Sequence, residues 1–509
     1  MPTTSRQTPS RTRRRVLAAC LTASLATGLG LAGAGGAAAA PPAGSPAAAA
    51  ARPGPALPVV AGPVMNYAVN VAKANRGQTK KAERAVVAAS GTVVASWPEI
   101  GVVIAQSGNT SFAASVRADK SVASVGATRT APVTATDPTW QGPEAAAGQR
   151  LGSSASQQSV VEQEGLEAAT AVVADPLEAR QWDMTAIKAD QAHQVTDGSP
   201  DVLVAVLDSG IQGDHPDLAA NIDQTASAGC LSGTADHSRA AWQPTTSDHG
   251  THVAGTIAAA RNGVGIVGVA PGVRLSAVKV VNDDGFIYPE AAICGFMVAA
   301  ATGADVTNNS CFIDPWEFWC GSDVDQAAVK TAVERALEHT RREGVVNVAA
   351  AGNSAVDLAN KTVDQGSPND TVPVARTLDA TCTDIPAESD GVVTVSSTTA
   401  TGTKSSFSNY GDGVIDVAAP GSSILSTVLG GGYGTKSGTS MASPHVAGVL
   451  ALLASTHPEA SGAALTDLLH AQADDVACPA TAGTCVGTPA DNGWFGEGLV
   501  DALDAVTAR

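Results

Sequence analysis

The sequence predicts an α/β fold: a doubly wound parallel sheet over residues 181–509, preceded by a small α+β domain at 65–127. Three observations carry this. Residues 202–207, 275–281, 345–350 and 392–395 are almost continuously apolar, as strands buried on both faces are. Helical stretches at 252–260, 288–301, 325–342 and 443–454 alternate with them, and that alternation builds a parallel sheet covered on both sides. Residues 65–127 read strand–helix–strand–strand–helix–strand, the order of a ferredoxin-like sandwich.

Taken in order, the chain opens with a targeting pattern. Arg11, Arg13, Arg14 and Arg15 precede an apolar run at 16–31 and small residues to Ala40, which predicts a signal peptide over 1–40. Thr12-Arg13-Arg14-Arg15-Val16-Leu17 loosely matches a twin-arginine export signal, and an ordinary secretory signal accounts for the same residues equally well. The Cys20 context resembles a lipid-attachment site but leaves too short an apolar run before the cysteine. Residues 41–64 are an Ala/Pro/Gly-rich linker. In the small domain, 66–71 alternates as a strand, 80–89 and 112–118 read as helices, and 92–96, 101–106 and 122–125 read as strands. Residues 128–180 lack periodicity and read as an exposed, cleavable linker.

Composition narrows the function. A net charge of −18 excludes a general nucleic-acid binder, which carries a basic face. Beyond the signal, no apolar run reaches the ~18 residues of a membrane span. Export permits disulfides. Spacing pairs Cys311 with Cys320 and Cys478 with Cys485, a longer bridge would join Cys230 and Cys382, and Cys294 is left as a buried thiol in an apolar helix. No pair has zinc-ligand spacing.

Three stretches carry chemistry. In Gly438-Thr439-Ser440-Met441-Ala442-Ser443-Pro444-His445, a tight turn presents Ser440 at the start of a helix, where unpaired N–H groups favour a developing oxyanion. A serine nucleophile needs a base. His249, in Asp248-His249-Gly250-Thr251-His252, stands at the mouth of a glycine-punctuated helix and titrates near neutrality. The pair His249 and His252 lacks the glutamate of a zinc-protease motif. Asp208 ends the buried run 202–207, where an acid is costly without a partner; alone it reads as a turn residue.

Together these stretches resemble the subtilases, the subtilisin-like serine proteases, with Asp208, His249 and Ser440 in that family's chain order. The resemblance covers roughly 180–509. It implies a secreted serine endopeptidase acting through an acyl-enzyme, with Ser440 as nucleophile, His249 as general base and then acid, and Asp208 orienting the imidazole. It needs no cofactor for catalysis, acts on protein or peptide substrates, and is expected to be a monomer. Asn353, in Ala351-Gly352-Asn353-Ser354, matches the oxyanion-hole asparagine. The substrate backbone would pair with two extended segments containing Gly285 and Ser310-Cys311-Phe312, with Gly352 lining the cleft. Phe312 replaces the usual glycine. An aromatic loop at 313–319, closed by Cys311–Cys320, either walls the cleft or packs on its own surface.

The resemblance also implies structural Ca²⁺. Its ligands would be Asp217, the Asn262 side chain and the carbonyls of Ala260, Val264 and Ile266, hard oxygen donors all. Glu178 and Gln181 are candidates for a further ligand. The domain at 65–127 resembles the subtilase propeptide, an intramolecular chaperone and inhibitor removed by self-cleavage, so the chain is expected to be an autoprocessed proenzyme.

Overall fold

The computed structural model describes residues 63–134 and 174–508. The predicted signal peptide, the low-complexity linker apart from its last two residues, and residues 135–173 lie outside these. Strand β1 (Pro63–Asn70), helix α1 (Arg76–Ala88), β2 (Thr92–Trp97), β3 (Val102–Ser107), α2 (Phe112–Arg117) and β4 (Ser124–Ala127) form the small unit in the expected order. Asn75 starts α1 by accepting a hydrogen bond from the Gln78 N–H at 2.9 Å. The antiparallel sheet runs β2-β3-β1-β4. Side chains alternate along each strand. Tyr67, Val69, Val103 and Ala105 pack beneath the unit's own helices with Val86 and Phe112, whereas Ala68, Val102 and Ile104 point the other way.

The second unit is built on a seven-stranded parallel sheet. Its elements include β5 (Leu203–Asp208), β6 (Ala228–Gly229), α3 (His249–Ala258), β7 (Arg274–Lys279), α4 (Pro289–Thr302), β8 (Val306–Asn309), α5 (Val324–Glu343), β9 (Val346–Ala350), β10 (Val392–Thr398), β11 (Val417–Pro420) and α6 (Thr439–Thr456). The strand order is β11-β10-β9-β8-β5-β7-β6. Val204 and Val206 face α3 and α6; Leu203, Ala205 and Leu207 face α4 and α5. Helices on both faces are what the uninterrupted apolar runs required. Strand order reverses between β5 and β8, and such a switch point leaves a crevice at the carboxyl ends of the strands.

The apolar pattern did not reveal β8. Its Thr-Asn-Asn is polar yet buried, and its side chains bond across to β9: Thr307 Oγ1 donates to Asn347 Oδ1 at 2.8 Å and Asn309 Nδ2 to the Val348 carbonyl at 2.9 Å. Residues 128–133 are also not exposed linker. Thr128, Arg129, Ala131 and Val133 are buried, and Val133–Thr134 pairs with Pro63–Val64. The disulfides differ from the spacing argument as well. Cys230 joins Cys294, Cys320 joins Cys382, and only Cys478–Cys485 is the expected local pair. Cys294 is therefore not a thiol; Cys311 is. Sequence proximity misleads at Cys311–Cys320 because Trp319–Cys320 forms a two-residue ladder with Cys382–Thr383, which sets the partner.

Candidate active site

Asp208 is the last residue of β5, 1% exposed at the switch point. His249 begins α3, and its Nδ1 lies 2.9 Å from both Asp208 carboxylate oxygens. The Ser209 N–H also donates to Asp208 Oδ1, at 2.6 Å. Gly250 permits this approach: a Cβ there would stand 2.4 Å from the Gly210 carbonyl oxygen and 3.0 Å from Asp208 Oδ1. His252, three residues on, is held between the carbonyls of Ile424 and Gly434 at 3.1 Å each. Burial, aided by Lys436 and His249, pushes its pKa down to about 3, so it stays neutral.

Ser440 sits in the first turn of α6 and is buried. Pro444 follows four residues later inside the same helix and has no N–H to give to the Ser440 carbonyl. Ser310 fills the gap: its hydroxyl donates to Ser440 O at 3.0 Å and meets Ser443 Oγ at 2.9 Å. Asn308 Nδ2 fixes that hydroxyl at 2.8 Å. The polar end of β8 thus shapes the turn that carries the serine. The Ser440 hydroxyl donates to the Ser310 carbonyl at 2.9 Å, and among the described residues no hydrogen bond joins it to His249.

Asn353 follows β9 through Gly352, which turns at φ 97°. Its Oδ1 accepts from the Thr439 N–H at 2.8 Å and the Thr439 hydroxyl at 2.9 Å, which orients the amide nitrogen. The Cβ position of Gly438 lies 3.6 Å from both Asn353 Nδ2 and Ser440 N, so these two donors converge on one small space.

The segments expected to be extended are not strands. Gly285 turns at φ 87°, closed by its N–H on the Asn282 carbonyl at 3.0 Å, while Asn282 Oδ1 accepts from Asp284 and Phe286 N–H. Asp314 ties this turn to the aromatic loop: its Oδ2 accepts from the Ile287 N–H at 2.5 Å. Burial pushes the Asp314 carboxyl up to about 7. The loop is mostly core. Phe318 and Trp319 are buried, and Trp319 Nε1 donates to the Ile313 carbonyl. Phe312 and Cys311 are partly exposed beside Ser310. Burial pushes the Cys311 thiol well up, with Asp208, Asp314 and Asp384 acting in the same sense.

A second polar site lies at the loop 260–266. Asp217 Oδ2 accepts from the Ile266 N–H at 3.1 Å, and the Asp217 carbonyl from the Ala260 N–H at 2.7 Å. Asn262 Oδ1 accepts from Val264 N–H at 2.9 Å. Sequence reasoning missed Asp175, whose Oδ1 accepts from the Gly263 N–H at 2.5 Å. Gln181 is instead paired with the Val267 backbone, and Glu178 with Arg261. Asp217 Oδ1 and Asp175 Oδ2 are buried without hydrogen-bond partners. Burial raises Asp217 to about 7 and Asp175 to about 6.

An aspartate–histidine pair and a serine at the head of a helix, gathered around the switch point of a doubly wound sheet, are the parts of a serine hydrolase. The model of the Subtilase family matches residues 199–498, and the chain belongs to that family of subtilisin-like serine proteases. Subtilisin NAT of Bacillus subtilis subsp. natto is 37% identical over 292 residues, which is 57% of this chain and 65% of that protein. Subtilisin of Bacillus pumilus is 37% identical over 292 residues, covering 90% of its length. The solved structure of the epidermin leader peptide processing serine protease of Staphylococcus aureus shares the fold, with a TM-score of 0.61 at 21% identity over 87% of this chain and 98% of that one.

Proposed function

We propose that the chain is an exported serine endopeptidase, made as a proenzyme that cleaves itself. The observation that carries this is the Asp208–His249 contact at 2.9 Å, set at the same strand ends as Ser440 and Asn353. With Nδ1–H given to Asp208, the imidazole keeps Nε2 as the acceptor. The reaction requires the Ser440 hydroxyl, which donates to the Ser310 carbonyl, to turn about its Cα–Cβ bond and give its proton to that nitrogen. Nε2 takes the proton as Oγ attacks a peptide carbonyl, and the tetrahedral oxyanion accepts from Ser440 N–H and Asn353 Nδ2. The imidazolium then protonates the leaving amine, and water repeats the sequence to release the acyl group. A fluorophosphonate probe tests this: the account predicts a covalent adduct on Ser440 and casein hydrolysis. A binding protein with a decayed site would give neither.

The small unit acts as chaperone and inhibitor in this reading. Its bare sheet face rests on α4 and α5, and Arg129 stacks at 3.7 Å over the Tyr288 ring beside the 282–287 turn. Thr128, Arg129, Ala131 and Val133 are buried on one side and Asp175 on the other, which favours a self-cleavage between them, within 135–173. Calcium fits the loop 260–266: two unpartnered buried carboxylate oxygens, an amide and backbone carbonyls suit a hard divalent cation. Asp217, Asn262, Ala260, Val264 and Ile266 would hold it, with Asp175 beside them. Bound there, the ion would neutralise the buried carboxylates.

A further inference from the structure

Asp384 is a buried acid that the catalytic machinery does not use. It is 3% exposed and its Oδ1 has no hydrogen-bond partner. Its Oδ2 lies 3.9 Å from the Cβ position of Gly352, the residue before Asn353. Cys311, the residue after Ser310, is near enough for its thiol to feel the Asp384 charge. Asp384 is therefore buried against Gly352, in the segment that leads to Asn353 and Thr439 beside Ser440.

The charges around it do not cancel. Lys361 is taken by Glu388 at 2.5 Å, and Arg376 by Asp364 at 2.7 Å. Among the described residues, the Glu317 carboxylate accepts only from the Ser354 hydroxyl, at 3.1 Å, and has no cationic partner within ion-pair distance. Two acids, Asp384 and Glu317, are left over. The Cys320–Cys382 disulfide holds both in place, since it links the loop carrying Glu317 to the strand that leads into Asp384.

We propose that the side-chain pocket beside the nucleophile accepts a positively charged residue, lysine or arginine, on the acyl side of the cut bond, with the Asp384 carboxylate at its base. This rests on the protease reading and specifies its substrate class. A long apolar stem with a cationic tip passes between backbone segments and brings to the carboxylate the partner it lacks. A burial this costly is otherwise unexplained. Burial first, then Glu388 and Glu317, push the Asp384 carboxyl well up, against Lys361. A bound cation displaces its proton, so discrimination in favour of arginine grows as pH rises.

The test is kcat/KM on peptides that differ only at that residue: arginine, lysine, leucine or glutamate. We expect arginine and lysine to exceed leucine by about tenfold or more, and Asp384→Asn to lower the arginine-to-leucine ratio by a similar factor. Should that variant fail to fold, benzamidine gives a second readout on the native enzyme, which it should inhibit competitively. Leucine equal to or better than arginine, with Ser440 labelled by a fluorophosphonate, overturns the pocket and leaves the protease standing. Absence of both cleavage and labelling overturns both.

Discussion

The small antiparallel sheet carries helices of its own on one face only, whereas the seven-stranded sheet carries them on both. The bare face, with Ala68, Val102 and Ile104, is covered by α4 and α5 of the larger unit through Ala292, Val329 and Val333. Polar contacts fix the fit. Asn70 Nδ2 donates to the Ala328 carbonyl at 2.7 Å, Arg335 to the Val71 carbonyl at 2.9 Å, and Arg129 pairs with buried Glu290. Burial alone would raise the Glu290 pKa, but Arg129 and Asn66 hold it below its usual range. The difference teaches a division of labour. A domain this small buries little surface by itself, so it depends on the larger unit. The larger unit holds every residue of the proposed chemistry.

The sharpest way to separate the two is Ser440→Ala. It should lower kcat for peptide hydrolysis by about 10⁶-fold while hydrogen exchange shows the small unit still docked. Asn353→Ala should cost about 10²–10³ in kcat with little change in KM, because the lost donor acts on the oxyanion. Gly126→Val attacks the other half of the comparison. A Cβ at that position would stand 2.0 Å from the Asp325 carbonyl oxygen. The small unit, added in trans, should then inhibit the processed enzyme at least about tenfold more weakly, one tenfold step being 1.4 kcal/mol.

The smallest effect concerns the larger unit alone. Asp175 and Asp217 have folded pKa values raised to about 6 and about 7. The folded state therefore binds more protons than the unfolded state between pH 4 and 7, and stability must fall as pH rises through that window. With chelator present the melting temperature should fall by several degrees across it. Calcium should abolish the fall, since the ion takes the place of the protons. A melting temperature unaffected by chelation at pH 8 would remove the metal from the account.

The sequence makes the α/β architecture legible because parallel strands buried on both faces are apolar throughout, as Leu203–Asp208 shows up to its final acid. It also makes Asp208, His249, Ser440 and Asn353 legible, since each stands in a motif of small residues that turns or approaches closely. Val306–Asn309 escapes because its buried polar side chains bond to the neighbouring strand and to Ser310, which composition cannot show. Asp384 escapes because an acid in Cys382-Thr383-Asp384 looks like a loop residue until the fold buries it beside Gly352. Cys311 and Cys320 look like partners until the strand pairing of Cys320 with Cys382 is known.

In the proposed mechanism Ser440, drawn upon by His249 and Asp208, cuts this chain as well as its substrates. Intact mass and N-terminal sequencing of the purified full-length chain and its Ser440→Ala counterpart test it most directly. A break between residues 135 and 173 is expected in the first and an uncut chain in the second. The same break in Ser440→Ala, formed at the same rate with no other protease present, would contradict it.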